Sequence, residues 1–410
     1  MIAVIMAGGK GTRIRNVADN IPKPMIEIHG RPVLEHQILC LKEQGIANII
    51  LVVGYLKEVI KNYFKDGKKF GIKITYIEES VPLGSAGALY LLKDKIREDF
   101  FLINGDIIFD IDFMRFYQFH KKQGGIATLF VHPNSHPYDS AILVLDREKR
   151  VIDWLHKENR IGDYKNRVNA GIHIFSVDIF KYITELKKLD LDREVLEPII
   201  NTERIYAYES TEYVKDMGTP ERYEKIKKDF ELGIISQKNL NKKQKAIFLD
   251  RDGTVNVYKG FITKKEQIEL IEGVADKIKK LNERGYLVII ITNQPVIARG
   301  ECTLEELEEI HNRIETLLGL QGAYIDDIFF CPHHPDKGFK GERKEYKIQC
   351  ECRKPKAGLF YQAQKKYNID LSKSIMIGDS ISDIEAGKLA GCRTIWCNRN
   401  HVFELETEKE

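Results

Sequence analysis

Long apolar runs are missing from this sequence of 410 residues, and no stretch approaches the roughly 18 apolar residues that a membrane-spanning helix needs. The apolar opening, Met1–Met6, lacks the basic start and the longer apolar core of a signal peptide. An excess of charge of one sign is also missing, because 64 basic and 61 acidic residues give a formal net charge of +3. Seven cysteines, an odd number, fit a reducing compartment better than a disulfide framework.

These absences predict a cytoplasmic protein with neither a nucleic-acid nor a membrane partner. A homo-oligomer remains open, because the sequence does not reveal the oligomeric state. Hydrophobic residues make up 43% and charged residues 30% of the chain, a balance typical of globular proteins. The length predicts two or three domains at roughly 150 residues each.

Two short apolar runs begin the two halves of the chain. Ile2–Met6 leads into Gly8-Gly-Lys-Gly-Thr-Arg13, and Ala246–Leu249 leads into Asp250-Arg-Asp-Gly-Thr254. Strand-like and helix-like segments alternate after each start, which predicts an α/β fold of two domains, each with a mostly parallel sheet and helices on both faces. The polar, Lys-rich stretch near residue 240 sets the predicted boundaries: a first domain (1–233), a solvated linker (234–244), a second domain (245–402) and an acidic tail (403–410).

Polar motifs of the first half point to phosphate chemistry. The loop Gly8–Arg13 offers a backbone that can approach phosphates closely, with cations beside it. Lys23 lies between two prolines that fix its backbone. Asp106 follows an apolar strand, at the sheet edge where α/β folds place ligands, and Asp216 supplies a second carboxylate much later. Two carboxylates together with substrate phosphates suit Mg²⁺.

Taken together, these motifs resemble those of the sugar-1-phosphate nucleotidyltransferases over about residues 1–230. The resemblance implies a Rossmann-like domain in which Arg13 and Lys23 act on phosphates and Asp106 and Asp216 bind Mg²⁺. It also implies that a further set of residues lines the nucleotide and sugar sites: Gly8, Gly9, Gly11, Thr12, Gly84, Gly87, Lys157, Asn169 and Gly171. Two departures from the family pattern concern the choice of sugar. The sequence has His156-Lys-Glu158 in place of Glu-Lys-Pro, and Asn16 in place of a proline.

The second half carries four ordered motifs for phosphoryl transfer. In Asp250-Arg-Asp-Gly-Thr254, one carboxylate can attack phosphorus and the second can protonate the leaving oxygen. Thr292-Asn293-Gln294 follows an apolar strand, Arg353-Lys354 offers cations, and Asp379 and Asp383 follow another strand. The order resembles that of the haloacid dehalogenase superfamily of phosphatases. The resemblance implies that Asp250 is the nucleophile, with Asp252 as acid and base, and that Thr292, Asn293, Gln294, Arg299, Arg353 and Lys354 contact substrate.

That resemblance also implies a Mg²⁺ site formed by Asp250, the Asp252 backbone and Asp379, with Asp383 in support. A separate set of soft ligands, Cys331, His333, Cys350 and Cys352, predicts a structural Zn²⁺ site in a long polar loop. His334 remains open as the imidazole ligand in place of His333. This insert resembles small phosphatases that act on D-glycero-D-manno-heptose 1,7-bisphosphate, and also the histidinol-phosphate phosphatases.

The two resemblances on one chain favour an enzyme of nucleotide-activated heptose synthesis, with small-molecule substrates. The phosphatase would remove the 7-phosphate, and the transferase would join heptose 1-phosphate to GTP with release of pyrophosphate. The alternative is a transferase for another sugar 1-phosphate fused to a histidinol-phosphate-like phosphatase. Two further alternatives are open. In one, the front half is a non-catalytic sugar-nucleotide sensor that controls the phosphatase, which the intact Arg13, Lys23, Asp106 and Asp216 disfavour. In the other, the enzyme processes nucleic-acid ends, which the charge balance disfavours.

Overall fold

The structure, a computed structural model, describes residues 1–9 and 21–405. Over these residues, no helix combines the length and the apolar character needed to cross a membrane. The chain forms two compact units that are not contiguous in sequence. Unit 1 contains Met1–His132, Leu143–Leu155 and Asn169–Asn239, and unit 2 contains Pro133–Ile142, His156–Val168 and the chain from Leu240 onward.

Unit 1 is built on a large mixed sheet, and most of its strands coincide with apolar runs of the sequence. In chain order the elements are β1 (Ile2–Met6), β2 (Glu27–Ile28), β3 (Arg31–Pro32), α1 (Val33–Glu43), β4 (Asn48–Val53), α2 (Lys57–Phe64), β5 (Lys73–Glu78), β6 (Phe100–Asn104), β7 (Ile107–Asp110), α3 (Phe113–Gln123), β8 (Ala127–His132), β9 (Ile142–Leu145), β10 (Val151–Leu155), β11 (Val168–Phe175), β12 (Ile205–Glu209), β13 (Tyr213–Asp216), α4 (Pro220–Glu231) and α5 (Ile234–Gln237).

The strand order of this sheet is β10-β9-β11-β6-β1-β4-β5, with β8 and β12 joined through β11. The strands β6, β1, β4 and β5 run parallel, whereas β11 runs antiparallel to β6 and β9. Because β1 and β6 are parallel neighbours, their carboxyl ends lie at the same edge of the sheet. Gly8 and Asp106 come shortly after these two ends. A separate two-stranded ribbon pairs β7 with β13 and brings Asp216 opposite Ile107.

Unit 2 contains a five-stranded sheet in which every pair of neighbours is parallel. Its elements are β14 (Ala246–Leu249), α6 (Val274–Glu283), β15 (Leu287–Asn293), α7 (Leu304–Leu320), β16 (Asp327–Cys331), α8 (Gly358–Tyr367), β17 (Ile375–Gly378), α9 (Ile381–Leu389) and β18 (Arg393–Trp396). The order is β16-β15-β14-β17-β18. The central strand β14 is fully buried, and the carboxyl ends of β14, β15 and β17 lie at one edge of the sheet.

The predicted α/β class with mostly parallel sheets is confirmed in both units. Part of the predicted linker, 234–244, is buried rather than solvated. Ile234 and Ile235 of α5 are buried, and Lys238, Asn239 and Leu240 are buried as well. The reason is that the apolar side chains of α5 join a core cluster with Tyr213 and Ile226, which the lysine-rich composition of the stretch does not reveal.

Candidate active sites

Three aspartates meet at the sheet edge of unit 2. Asp250 follows β14, Asp379 follows β17, and Asp383 lies in the first turn of α9. Each offers a carboxylate oxygen within 4.8 Å of the others, and all three residues are buried. Asp383 is fixed in a capping box, in which the Ser380 N–H donates to Asp383 Oδ2 at 3.1 Å, and Ser380 Oγ donates to the same oxygen at 2.7 Å.

Lys354 supplies the opposing charge at this cluster. Its buried Nζ lies 2.6 Å from Asp250 Oδ1, 2.5 Å from Asp383 Oδ1 and 2.8 Å from the Ile291 carbonyl oxygen. Burial alone would lower the pKa of Lys354, but the two carboxylates raise it, so the ammonium form is favoured. Burial raises the pKa of Asp250 to about 7, although Lys354 acts in the opposite direction.

Glycine at position 253 is required for the close approach of the aspartate loops. Gly253 has φ of +91°, in the region that side chains rarely adopt, and a Cβ there would lie 2.5 Å from Asp379 Oδ2. The motif glycine therefore lets the loop after β14 pack directly against a carboxylate of the cluster.

The predicted phosphate-binding residues at the end of β15 have different surroundings. Thr292 is buried at the carboxyl end of the strand, and its Oγ1 accepts a hydrogen bond from Gln294 Nε2 at 2.9 Å. Gln294 Nε2 also donates to Asp252 Oδ2 at 3.0 Å. Asn293 forms two hydrogen bonds with the backbone of Lys354. Its side-chain amide donates to the Lys354 carbonyl and accepts from the Lys354 N–H, both at 3.0 Å. Asn293 and Gln294 therefore hold other residues of the site in place.

Three arginines lie near the loops of this unit. The Arg299 guanidinium lies over the rings of Phe261 and Phe339, 4.3 Å from each ring centroid. Arg353 donates to the His333 carbonyl at 3.2 Å. Arg399 was not among the predicted residues. Its Nε lies 2.5 Å from Asp379 Oδ2, and it follows the last strand without any motif that marks it.

Four soft ligands converge in the loop between β16 and α8. Cys331, His333, Cys350 and Cys352 each offer one ligand atom, and these atoms lie within 4.8 Å of one another. His333 Nδ1 lies 3.3 Å from Cys352 Sγ, and none of these cysteines forms a disulfide. His334 Nδ1 instead accepts a hydrogen bond from the Asp336 N–H at 3.2 Å. The structure thus groups the predicted four residues and leaves His334 outside the group.

The candidate transferase site of unit 1 lies where the turn after β6 meets the end of β13. The Met217 N–H donates to the Asp106 carbonyl at 3.0 Å, so the backbones that carry Asp106 and Asp216 are neighbours. Lys23 Nζ lies 2.5 Å from Asp106 Oδ2, and Arg222 Nη1 lies 2.9 Å from Asp216 Oδ1. The pKa of Asp216 is lowered: burial would raise it, but Arg222, the Gly218 N–H and Lys23 together outweigh burial.

The glycines of the predicted nucleotide site are only partly described. Gly11, Thr12 and Arg13, together with Asn16, lie outside the described residues. Gly9 is exposed, and a Cβ at Gly8 would lie 2.0 Å from Glu79 Oε2, so Glu79 contacts this loop closely. Gly84 and Gly87 pack against the backbone of Leu189 and Lys187. Glu79 was not among the predicted residues, because it lies outside the motifs of the sequence.

The predicted sugar-site residues are divided between the units. Asn169 and Gly171 lie on β11 in unit 1, where Asn169 Nδ2 is 3.2 Å from both carboxylate oxygens of Asp192. Gly171 has φ of +72°, and its N–H donates to Asn169 Oδ1 at 3.2 Å. Lys157 is exposed and belongs to the segment that clusters with unit 2.

The donor atoms indicate which metal ions the two kinds of site fit. Three buried carboxylates repel one another, and their hard oxygen atoms match the preference of Mg²⁺. Asp106 and Asp216 offer the same kind of oxygen ligand. Thiol and imidazole ligands grouped in the loop of unit 2 suit a softer ion.

Two family models match the sequence, one over each kind of site. Residues 2–232 match the nucleotidyl transferase family, and residues 179–391 match the haloacid dehalogenase-like hydrolase family. Each match spans more than half of the chain, so the chain belongs to both families. Both resemblances inferred from the motifs are confirmed. The matches overlap over 179–232, a stretch that lies in unit 1.

Individual relatives match one half of the chain each. A probable mannose-1-phosphate guanylyltransferase 1 of Oryza sativa subsp. japonica is 34% identical over 228 residues, which cover 54% of this chain and 63% of the relative. The chain thus spans less than two thirds of that relative's length. A D-glycero-beta-D-manno-heptose-1,7-bisphosphate 7-phosphatase of Haemophilus ducreyi is 40% identical over 169 residues, which cover 41% of this chain and 90% of the relative.

The crystal structure of HddC from Yersinia pseudotuberculosis is similar to the first half. It has a TM-score of 0.50 and 28% sequence identity, and the match covers 56% of this chain and 99% of HddC.

Proposed function

We propose that the chain is a bifunctional enzyme of nucleotide-activated heptose synthesis. One activity removes the 7-phosphate of a manno-heptose 1,7-bisphosphate, and the other joins the resulting heptose 1-phosphate to GTP with release of pyrophosphate. The observation that carries the proposal is the buried group of Asp250, Asp379, Asp383 and Lys354, on a chain that also belongs to the nucleotidyl transferase family. In this assignment 1–233 forms the transferase domain and 245–402 the phosphatase domain.

In the phosphatase, Asp250 is the nucleophile and attacks phosphorus to form an aspartyl phosphate. Lys354 holds Asp250 and balances charge on the phosphoryl oxygens, and Thr292 donates its hydroxyl to one of them. Asp252 protonates the leaving oxygen and later accepts a proton from the attacking water. Arg299 and Arg353 lie in the surrounding loops and would contact the rest of the sugar phosphate.

In the transferase, an oxygen of the sugar 1-phosphate attacks the α-phosphorus of GTP, and the bond from that phosphorus to pyrophosphate breaks. The glycine loop from Gly8 to Arg13 and Lys23 would balance the charge on the phosphates. The ammonium of Lys23 already lies beside Asp106, so a metal ion held by Asp106 and Asp216 would share these carboxylates with Lys23 and Arg222.

Each metal assignment follows from the donor chemistry. We assign Mg²⁺ to Asp250, Asp379 and the Asp252 backbone carbonyl, with Asp383 in support, and to Asp106 and Asp216. When bound, Mg²⁺ supplies Lewis-acid stabilisation of phosphate charge. We assign Zn²⁺ in a structural role to Cys331, His333, Cys350 and Cys352, because such a set of thiolate and imidazole ligands closes a tetrahedral site.

The choice of substrates rests on two relatives and on the logic of the fusion. The Haemophilus ducreyi relative is named for the 7-phosphatase reaction, and the rice relative for guanylyl transfer. A 7-phosphatase yields the 1-phosphate that a nucleotidyltransferase consumes, which a histidinol-phosphate phosphatase would not. The proposal needs only small-molecule partners, and seven free cysteines support a cytoplasmic location.

The experiment supplies the full-length protein with manno-heptose 1,7-bisphosphate, as separate α and β anomers, and one of five nucleoside triphosphates with Mg²⁺. Mass analysis should find free phosphate and GDP-heptose with GTP. Failure to release the 7-phosphate from either anomer would refute the heptose assignment. A sugar nucleotide formed only with another triphosphate would refute the choice of GTP.

Two matched variants separate the activities. Asp250→Asn should abolish product formation from the bisphosphate but not from heptose 1-phosphate, because only the phosphatase nucleophile is lost. Asp106→Asn should release the 7-phosphate normally and form no GDP-heptose. Loss of both activities in either variant would contradict the assignment of separate sites.

A further inference from the structure

Arg251 lies between the two aspartates of the phosphatase motif and is fully buried, with 0% of its surface exposed. Its Nε donates to Asp252 Oδ2 at 3.1 Å, and its Nη2 donates to Asp252 Oδ1 at 3.0 Å. This is a two-point fork on one carboxylate. Because the guanidinium is planar and rigid, such a fork fixes the plane of the carboxylate as well as its position.

The remaining side of the guanidinium is held by α7. Nη1 of Arg251 lies 3.4 Å from Nε2 of the buried His311. Burial, reinforced by Arg251 and Lys165, holds the pKa of His311 well below its ordinary value, so the imidazole is neutral and Nε2 can accept this hydrogen bond. The arginine is therefore fixed at both ends, between a helix and the carboxylate.

Asp252 also accepts hydrogen bonds from two amides. Gln294 Nε2 donates to Oδ2 at 3.0 Å and Asn256 Nδ2 donates to Oδ1 at 3.1 Å. Asp252 remains partly exposed, although three buried polar side chains are directed at its carboxylate. An apolar side chain would fill the space of Arg251 without the cost of burying a charge, so the packing of the site alone does not require arginine there.

We propose that Arg251 is a positioning residue that directs the carboxyl group of Asp252 at the leaving oxygen of the phosphate ester. The inference rests on the proposed phosphatase activity. As an oxygen of Asp250 forms its bond to phosphorus, the bond from phosphorus to the ester oxygen breaks and Asp252 gives its proton to that oxygen. Asp252, now a carboxylate, takes a proton from the water that attacks the aspartyl phosphate, which releases inorganic phosphate and restores both aspartates.

The test compares two phosphate esters whose leaving groups need different degrees of protonation. Nitrophenolate leaves without a proton, whereas a sugar alkoxide must receive one. The quantity to compare is kcat/KM, because it reports only the steps up to departure of the leaving group and not the later hydrolysis of the aspartyl phosphate. In full-length Arg251→Met, kcat/KM should fall about 100-fold for a sugar phosphate, the order expected for a lost general acid. It should fall less than about 5-fold for p-nitrophenyl phosphate, because general-acid catalysis contributes little there.

Arg251→Lys keeps a buried cation but removes the fork. It therefore separates the loss of the fork from a failure of Arg251→Met to fold. For the sugar phosphate, kcat/KM of Arg251→Lys should lie between the values of the parent and of Arg251→Met. Its thermal transition temperature should be near that of the parent. In an Asp252→Asn background, either substitution should add no further difference between the two esters. Equal losses on both esters, or a full additional loss in the Asp252→Asn background, would overturn the positioning role. A parent enzyme inactive on both esters would overturn the proposed phosphatase itself.

Discussion

At the scale of single residues, one buried ammonium group lies beside the proposed phosphatase nucleophile. Lys354 lies between Asp250 and Asp383, and both carboxylates are buried. We expect Lys354→Met to lower phosphatase kcat/KM by at least about 100-fold and to lower the thermal transition temperature, because two buried carboxylates lose their counter-charge. Steady-state assays with a sugar phosphate and differential scanning calorimetry measure the two effects.

Lys356→Met is the matched control, since Lys356 pairs with Glu351 at the surface. It should leave both quantities near those of the parent. Unchanged activity in Lys354→Met would contradict the role assigned to this lysine.

Sequence motifs predicted residues such as Asp250 and Lys354 because each motif marks the end of a strand with a reactive side chain. They did not predict Arg222, Arg399 or the use of Arg251. Arg399 pairs with Asp379, 20 positions away, and only the tertiary fold brings the two together. Arg251 and Arg222 have partners one and six positions away, but no periodicity or spacing in the sequence separates a pairing arginine from a surface charge. Asn293 illustrates the same limit, since its partner is the backbone of a residue 61 positions away.

At the scale of elements, the loop between β16 and α8 carries the proposed zinc site. Its ligands come in two short pairs, and the polar chain between them buries little apolar surface. The sequence supplied the ligand types and left His333 and His334 as alternatives, because adjacent histidines cannot be told apart by spacing. The structure separates them, since only His333 lies among the thiols.

We therefore expect His333→Ala to bind zinc at least about 10-fold more weakly than the parent and to unfold at a lower temperature, because a structural zinc ion contributes directly to folding stability. His334→Ala should retain the zinc content and stability of the parent. Metal analysis after titration with a chelator, together with thermal denaturation, measures both. Zinc loss in His334→Ala with retention in His333→Ala would reverse the assignment.

At the scale of the whole molecule, the sequence predicted two domains that follow one another, whereas unit 2 also contains Pro133–Ile142 and His156–Val168. Both segments lie within the stretch that matches the nucleotidyl transferase family. Their contacts with α7 join residues about 150 positions apart: the Tyr164 N–H donates to Thr316 Oγ1 at 2.9 Å and the Asn166 N–H to Glu315 Oε2 at 2.7 Å. Hydrophobic periodicity reports local structure and carries no information on such pairings.

A buried ion pair joins one of these segments to α7, and its contribution to the free energy of unfolding can be measured. Arg167 is 1% exposed and lies 3.7 Å from the buried Glu315. Removing one partner of such a pair leaves an uncompensated charge, so Arg167→Met should lower the free energy of unfolding by about 3 kcal/mol. The double variant Arg167→Met/Glu315→Gln should recover part of that loss, because Glu315 no longer carries an uncompensated charge. Asp327, 3.8 Å from Arg167, keeps its ion pair with Lys366 in that variant.

The pH dependence of this loss follows from the carboxyl group that remains. Burial raises the pKa of Glu315, and Arg167 and Lys165 oppose that rise. A carboxyl whose folded pKa exceeds its unfolded pKa stabilises the fold at low pH, and this contribution is lost as the pH rises through the folded pKa. Without Arg167 the folded pKa rises further, so Arg167→Met should be destabilised more at pH 8 than at pH 5.5. Urea denaturation at both pH values measures this difference, and it should vanish in the double variant. An equal loss of unfolding free energy at both pH values would mean that the charge on Glu315 does not cause the destabilisation of Arg167→Met.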